Sequence, residues 1–182
     1  MLRSANFVFR PLVPDDAAGF VAAVQESAQA LSSWMPWASP DYSMAEAQSW
    51  INWCQDGWRN RSSHEFGIFD AASGVFVGGC GLNQFNHLHG YCNLGYWVRQ
   101  SFQRRGAATD AIRALAAFAF AELPLGRIEI AVAVGNAASL GAARKAGAVK
   151  EGIARNRVKL GERFIDAHVL SLVPPPVAVS GA

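Results

Sequence analysis

Between Cys92 and Val134 the chain runs from one strand-like stretch to another through a turn and a long helix: "CNLGYWVR", "QSFQRRGAA", a helical pattern that stops at Pro124, then "RIEIAVAV". This succession constrains the fold more than any other, because a helix that crosses over between two strands sets them parallel, whereas short turns set strands antiparallel. Immediately upstream the connections are short: "HEFGIFD", a turn at "AASG", "VFVGGCGLNQF", then the polar turn "NHLHG". A three-stranded antiparallel meander therefore feeds a helical crossover, and the sheet must be mixed.

The flanking segments extend that sheet. "FVFRPL" reads as a first strand, and Pro14, Asp15 and Asp16 open a helix. A second helix is expected from about Ser43 to Trp58, with Ser43 as cap and Glu46 three residues on as its capping-box partner. The crossover helix should run from about Arg105 to Glu122 with Ile112, Leu115 and Ala119 on its buried face. "GNAASLGAARKAG" reads as a short helix closed by Gly147, and two strands follow around a turn at Gly161. With no internal repeat and no linker, residues 1–173 read as a single domain and residues 174–182, "PPPVAVSGA", as a disordered tail.

With 182 residues, 51% of them hydrophobic, the chain can bury one substantial core. A formal charge of only +2 points away from a nucleic-acid-binding protein. Cys54, Cys80 and Cys92 are odd in number and far from metal-ligand spacing, as reduced thiols of a cytoplasmic protein would be. The most apolar run, "ALAAFAFA", is too short to span a bilayer, and the start lacks a signal-peptide core, so no membrane partner is expected. His64, His87, His89 and His168 are scattered, and neither a metal site nor a nucleophile elbow is written in the chain.

Arg104 and Arg105 stand at the wrong end of a helix for the macrodipole, which favours anions at the N-terminus. Either they are solvated turn residues, or, with Gly106, they flank a helix start that holds an anionic ligand. Their surroundings decide. Gln103-Arg104-Arg105-Gly106-Ala107-Ala108, placed between "LGYWVR" and a long helix, resembles the coenzyme A motif of the GNAT superfamily of N-acetyltransferases. "VGNAASLGAARKAGAVKEG" after the next strand is similar to that family's second signature, with Asn136 and Gly147 in its fixed positions. Together with "WMPW" and "DAHVLSLV", nearly the whole chain resembles the RimJ/RimL branch, the ribosomal-protein N-terminal acetyltransferases and their relatives.

The resemblance implies a GNAT (acyl-CoA N-acyltransferase) fold: α/β, with a mixed, mostly antiparallel twisted sheet, splayed central strands and helices on both faces. It implies direct transfer of acetyl from the cosubstrate acetyl-CoA, without a metal, to a peptide or protein N-terminal amine. A small amine acceptor and a non-catalytic coenzyme A binding module stay open as alternatives. Cofactor contacts would come from main-chain groups of Trp97, Val98 and Arg99, from the loop and first turn Gln103, Arg104, Arg105, Gly106, Ala107, Ala108 and Thr109, and from Asn136 and Ser139. The Val98 N–H would face the oxyanion. Many family members place a tyrosine where this chain has Ala143, so Ser139 becomes either the group that bonds the leaving sulfur or a simple helix cap. Glu65 is the first choice of general base, against a strand-end salt bridge and against a water relay that needs no base; Asp166 reads as structural. Trp34, Trp37, Glu65 and Asn83 are the candidate acceptor contacts, Trp34 and Trp37 as an aromatic wall or as packing for the arm between the first two helices. An apolar final strand or that arm could pair the chain into a homodimer.

Overall fold

The computed structural model describes residues 1–175. After a short β1 (Leu2–Arg3) come β2 (Phe7–Arg10), a single turn of tighter helix at Pro14–Asp16, α1 (Ala17–Leu31) and α2 (Met44–Asn60). The meander follows as β3 (His64–Asp70), β4 (Phe76–Asn86) and β5 (Tyr91–Val98). Then come α3 (Ala107–Glu122), β6 (Arg127–Ala133), α4 (Ala137–Ala146), β7 (Val149–Leu160) and β8 (Arg163–Leu172).

Eight strands form one sheet in the order β1-β2-β3-β4-β5-β6-β8-β7. Every neighbouring pair is antiparallel except β5–β6, which are parallel because α3 crosses over between them. That parallel pair is short: it joins Tyr91 to Arg127, Cys92 to Ile128 and Asn93 to Glu129, after which β5 continues to Val98 and β6 to Ala133 without pairing. The sheet is split open at its centre, as the family fold implies.

Two apolar layers hold the helices. On one face Phe66, Ile68, Leu82, Leu94 and Ile130 pack against Ile112, Leu115 and Ala119 of α3, the stripe expected from the sequence. On the other, Phe20 and Val24 of α1 and Ile51 and Cys54 of α2 cover Phe69, Phe76 and Trp97. Strand alternation sorts the residues: His64, Phe66 and Ile68 turn toward α3, while Glu65, Gly67 and Phe69 turn toward α1 and α2.

Local signals behaved as their chemistry requires. Ser43 Oγ accepts the Glu46 N–H at 3.2 Å and Glu46 Oε2 accepts the Ser43 N–H at 2.8 Å, closing the expected capping box. Gly147 ends α4 at φ 106°, in the left-handed region. One boundary moves. The crossover helix begins at Ala107 rather than Arg105, because Arg104 (φ 62°) and Gly106 (φ 89°) are both left-handed and keep Arg104 and Arg105 in the preceding turn. The anticipated disordered tail, 174–182, lies from residue 176 onward outside the described residues. Among the described residues no helix is long and apolar enough to cross a membrane.

Candidate active site

Where β5 leaves the sheet, the chain makes one tight turn at Gln100–Phe102 and enters α3 through Gly106. The first main-chain bond of α3 runs from the Asp110 N–H to the Gly106 carbonyl at 2.9 Å, so the N–H groups of Ala107, Ala108 and Thr109 have no intrahelical acceptor. The turn is held from the other side of the sheet by α1. Glu26 pairs with the Arg99 guanidinium at 2.6 Å and accepts the Ser101 N–H at 2.9 Å, while Ser27 Oγ accepts the Gln100 N–H at 2.9 Å.

A groove of about 740 Å³ runs from this helix start along the gap between β5 and β6 to α4. Trp97, Val98, Gln103, Arg104, Gly106, Ala107, Ala108, Thr109, Asn136 and Ser139 all line it, as does Trp34. Arg99 and Arg105 do not: the first is turned to Glu26, and the second lies over the Phe102 ring, 4.8 Å from its centroid. Lys145 at the end of α4 also lines the groove, a cation that sequence reading passed over. With Arg104 and the bare helix start it makes one end of the groove electropositive.

Main-chain orientation along β5 follows from its register. Trp97 stands opposite Gly79, and the Arg99 N–H is bonded to the Val77 carbonyl at 2.6 Å. Hydrogen-bonding directions alternate along an antiparallel strand, so Trp97 and Arg99 turn their polar groups to β4, and Val98, between them, turns its own to the open gap.

On the opposite wall, α4 is capped by Asn136, whose Oδ1 accepts the Ser139 N–H at 3.1 Å. Ser139 is therefore not the cap. Its Oγ lies 2.8 Å from the Tyr96 hydroxyl, which also donates to the Ser139 carbonyl at 2.9 Å. Ala143, where many members of the resembled family place a tyrosine, is fully buried in the core. The phenol here comes from β5 instead. Burial raises the Tyr96 pKa, opposed by the bond to Ser139, so the hydroxyl keeps its proton. Nothing in "LGYWVR" marks Tyr96 as more than a strand residue; its partner lies on a helix far along the chain.

A second cavity of about 350 Å³ lies under α1, α2 and the 32–43 arm, sharing Met35, Gly95, Tyr96 and Trp97 with the groove. Glu65 projects into it and is 8% exposed. Its Oε1 accepts from Asn83 Nδ2 at 3.0 Å, and Asn83 Oδ1 accepts from Asn93 Nδ2 at 2.9 Å, so three strands fix one carboxylate. Among the described residues no cation pairs with Glu65, which removes the strand-end salt bridge anticipated as the alternative. Burial pushes its pKa up, with the Asn83 bond acting against that shift. Asp166 lies elsewhere, accepting the Asn156 N–H at 2.9 Å within the β7–β8 hairpin.

The tryptophans of the arm divide between the two spaces. Trp37, 43% exposed, stands edge-on to Trp97 and Tyr42 with ring centroids 5.8 and 5.9 Å away and walls the second cavity. Trp34 reaches across to Gly135, its ring tip 3.4 Å from where a Cβ on that glycine would stand, and so borders the groove.

The arrangement sets an electropositive groove beside a largely apolar cavity with one buried carboxylate, the two sharing Met35, Gly95, Tyr96 and Trp97 as lining. Residues 6–149 match the family described as "Acetyltransferase (GNAT) domain". The chain is 31% identical to YjcK of Bacillus subtilis (strain 168), named as an N-acetyltransferase, over 96% of this chain and 98% of that one. It is 28% identical to YdaF of the same organism, named as a ribosomal N-acetyltransferase, over 92% of this chain and 91% of the relative. Its fold superposes with a TM-score of 0.84 on a structure from Vibrio cholerae described as a ribosomal-protein-serine acetyltransferase, at 29% identity, covering 96% of this chain and 98% of that one.

Proposed function

This chain belongs to the GNAT acetyltransferase family, and from that premise we propose that it transfers acetyl from acetyl-CoA to the N-terminal α-amine of a protein or peptide. The observation that carries the proposal is that the groove and the cavity holding Glu65 share Met35, Gly95, Tyr96 and Trp97 as lining, which would bring a donor in the one beside an amine in the other.

The groove fits the donor in size and charge. Gly106 and Gly141 both line it, and a Cβ added at either would meet nothing within 4 Å, leaving main chain open to a closely approaching ligand. The free N–H groups of Ala107, Ala108 and Thr109 would hold the pyrophosphate, with Gln103, Arg104 and Lys145 at its rim. Val98 and Asn136 would meet the pantetheine arm. Acetyl-CoA, when bound, supplies an activated acetyl thioester. Arg105 contributes its place in the turn and not its charge, because its guanidinium is spent on Phe102.

Glu65 removes a proton from the incoming ammonium, and its raised pKa makes it a better acceptor than an exposed carboxylate. The Val98 N–H faces the gap where negative charge develops on the carbonyl oxygen. Tyr96, on the same strand as Val98 and coupled to Ser139 on the facing α4, offers a proton to the departing sulfur. Trp37 and Trp97 border the amine's entry, and Asn83 orients Glu65 rather than touching the acceptor. Two relatives named for ribosomal acceptors, YdaF and the Vibrio cholerae protein, support a protein substrate.

The test is release of free thiol from acetyl-CoA in the presence of peptides with free N-termini, followed by mass determination of the product. Turnover that falls in Glu65→Gln and, to a smaller extent, in Ser139→Ala is expected. Turnover with small amines alone would move the acceptor to that class, and stabilisation by acetyl-CoA without any turnover would favour a binding module.

A further inference from the structure

Two glycines line the second cavity, Gly79 on β4 and Gly95 on β5, and a third, Gly81, stands opposite Gly95 beneath Glu65. Glycine inside a strand forfeits side-chain packing and marks a place where something else comes close. For two of them that something is protein. A Cβ on Gly79 would stand 2.8 Å from Trp97 Nε1, and one on Gly81 only 1.7 Å from Glu65 Oε2. Gly95 is different. A Cβ there would meet nothing within 4 Å, and its φ is not left-handed, so neither neighbour nor backbone requires glycine. It lines both the groove and the second cavity.

The second cavity is walled by Phe20, Met35, Trp37, Tyr42 and Trp97. Burial pushes the Tyr42 phenol up to about 12, so it stays neutral. Among the described residues Glu65 is the single charged side chain lining the cavity. No lysine, arginine or histidine among the described residues borders it, so an acceptor carrying a carboxylate or phosphate beside its amine would lose hydration without gaining a partner. A polyamine would likewise find no second carboxylate.

We infer that the acceptor is a primary amine whose adjacent substituent is large and apolar, and that on a peptide this means an N-terminal Phe, Leu or Met in preference to Ser, Ala or Gly. The inference rests on the acetyl-transfer reading given above and narrows its acceptor. Gly95 leaves the room, the aromatic walls supply the apolar contact, and Glu65 receives the amine's proton.

The experiment uses the full chain with acetyl-CoA and short peptides that differ only in their first residue, beside phenethylamine and spermidine. It reads kcat/KM by thiol release and peptide binding by tryptophan fluorescence, since Trp37 and Trp97 line the cavity. Phe and Leu peptides are expected to exceed Ser and Gly peptides by about tenfold or more, the scale on which apolar pockets discriminate. Gly95→Leu, whose side chain enters open space, should bring that ratio close to one while the thermal midpoint persists. Trp37→Ala should weaken the preference for Phe, and the exposure of Trp37 makes this variant safe for folding.

Equal or better turnover of Ser and Gly peptides overturns the inference and leaves acetyl transfer to peptides standing, as does a Gly95→Leu ratio equal to that of the parent. Turnover of phenethylamine with no peptide turned over keeps the apolar acceptor and overturns the peptide reading. Absence of both turnover and fluorescence change with every amine overturns the two together.

Discussion

Replacing Glu65 with glutamine should sharply slow catalysis and make the protein more stable. The carboxylate is 8% exposed, receives one side-chain hydrogen bond, from Asn83 at 3.0 Å, and has no cation in ion-pairing distance among the described residues. Glutamine has the same shape and can still accept from Asn83, so the substitution changes charge with little repacking. As general base Glu65 is worth about 100- to 10,000-fold in rate, or roughly 3–5 kcal/mol of activation free energy. Stability moves the other way. Burial raises the folded-state pKa above that of the unfolded chain, so the folded protein binds the proton more tightly. Stability is therefore full below the unfolded carboxylate's pKa and falls as pH rises through the raised folded value. The glutamine variant is free of that fall and should gain about 1 kcal/mol at neutral pH, within the range commonly recovered from destabilised functional positions. For a domain of this size that corresponds to a rise of about 2–4 °C in Tm. The assay pairs steady-state thiol release with thermal unfolding across pH. In the parent, kcat/KM should climb with pH through the raised Glu65 value, and the variant's residual rate should lack that step. A variant that keeps full activity, or one whose Tm drops by several degrees at neutral pH, would refute the reasoning.

Tyr96→Phe and Ser139→Ala each break the hydroxyl pair at 2.8 Å, and each should lower kcat by about tenfold or more with little change in acetyl-CoA affinity, read by steady-state kinetics. Their double variant should be no worse than the poorer single one if the two act as a unit. Arg104→Ala should weaken acetyl-CoA binding by about tenfold, consistent with one charge-assisted contact, and calorimetry should find Arg105→Ala close to the parent because its guanidinium lies over Phe102. Ser43→Ala removes the α2 cap, which lines neither cavity, and should cost about 1 kcal/mol in thermal unfolding while kcat/KM stays unchanged.

Elements with local causes could be read from the chain. The Ser43–Glu46 box, the Gly147 terminus and the α3 stripe of Ile112, Leu115 and Ala119 each depend on neighbours within a few residues, and each appeared where expected. The start of α3 slipped by two residues because helical periodicity in Arg105-Gly106-Ala107 does not reveal that Arg104 and Gly106 take positive φ. At the site, Glu65 stood out as an acid in a strand of apolar residues, but its partners could not be seen: Asn83 and Asn93 reach it only through the β3–β4–β5 register. Tyr96 was invisible for the same reason. Its role depends on α4 bringing Ser139 beside β5, a contact across 43 residues of sequence. Arg104 and Arg105 looked equivalent as neighbours, and only the left-handed turn sends one to the groove and the other to Phe102.

The most direct test of the account is mass spectrometry of a peptide with a free N-terminus and an internal lysine after incubation with the protein and acetyl-CoA, with thiol release followed in parallel. The account requires one acetyl group on the α-amine, stoichiometric with thiol, and none when the N-terminus is blocked. Acetylation confined to the lysine, or no thiol release with any free N-terminus, would contradict it.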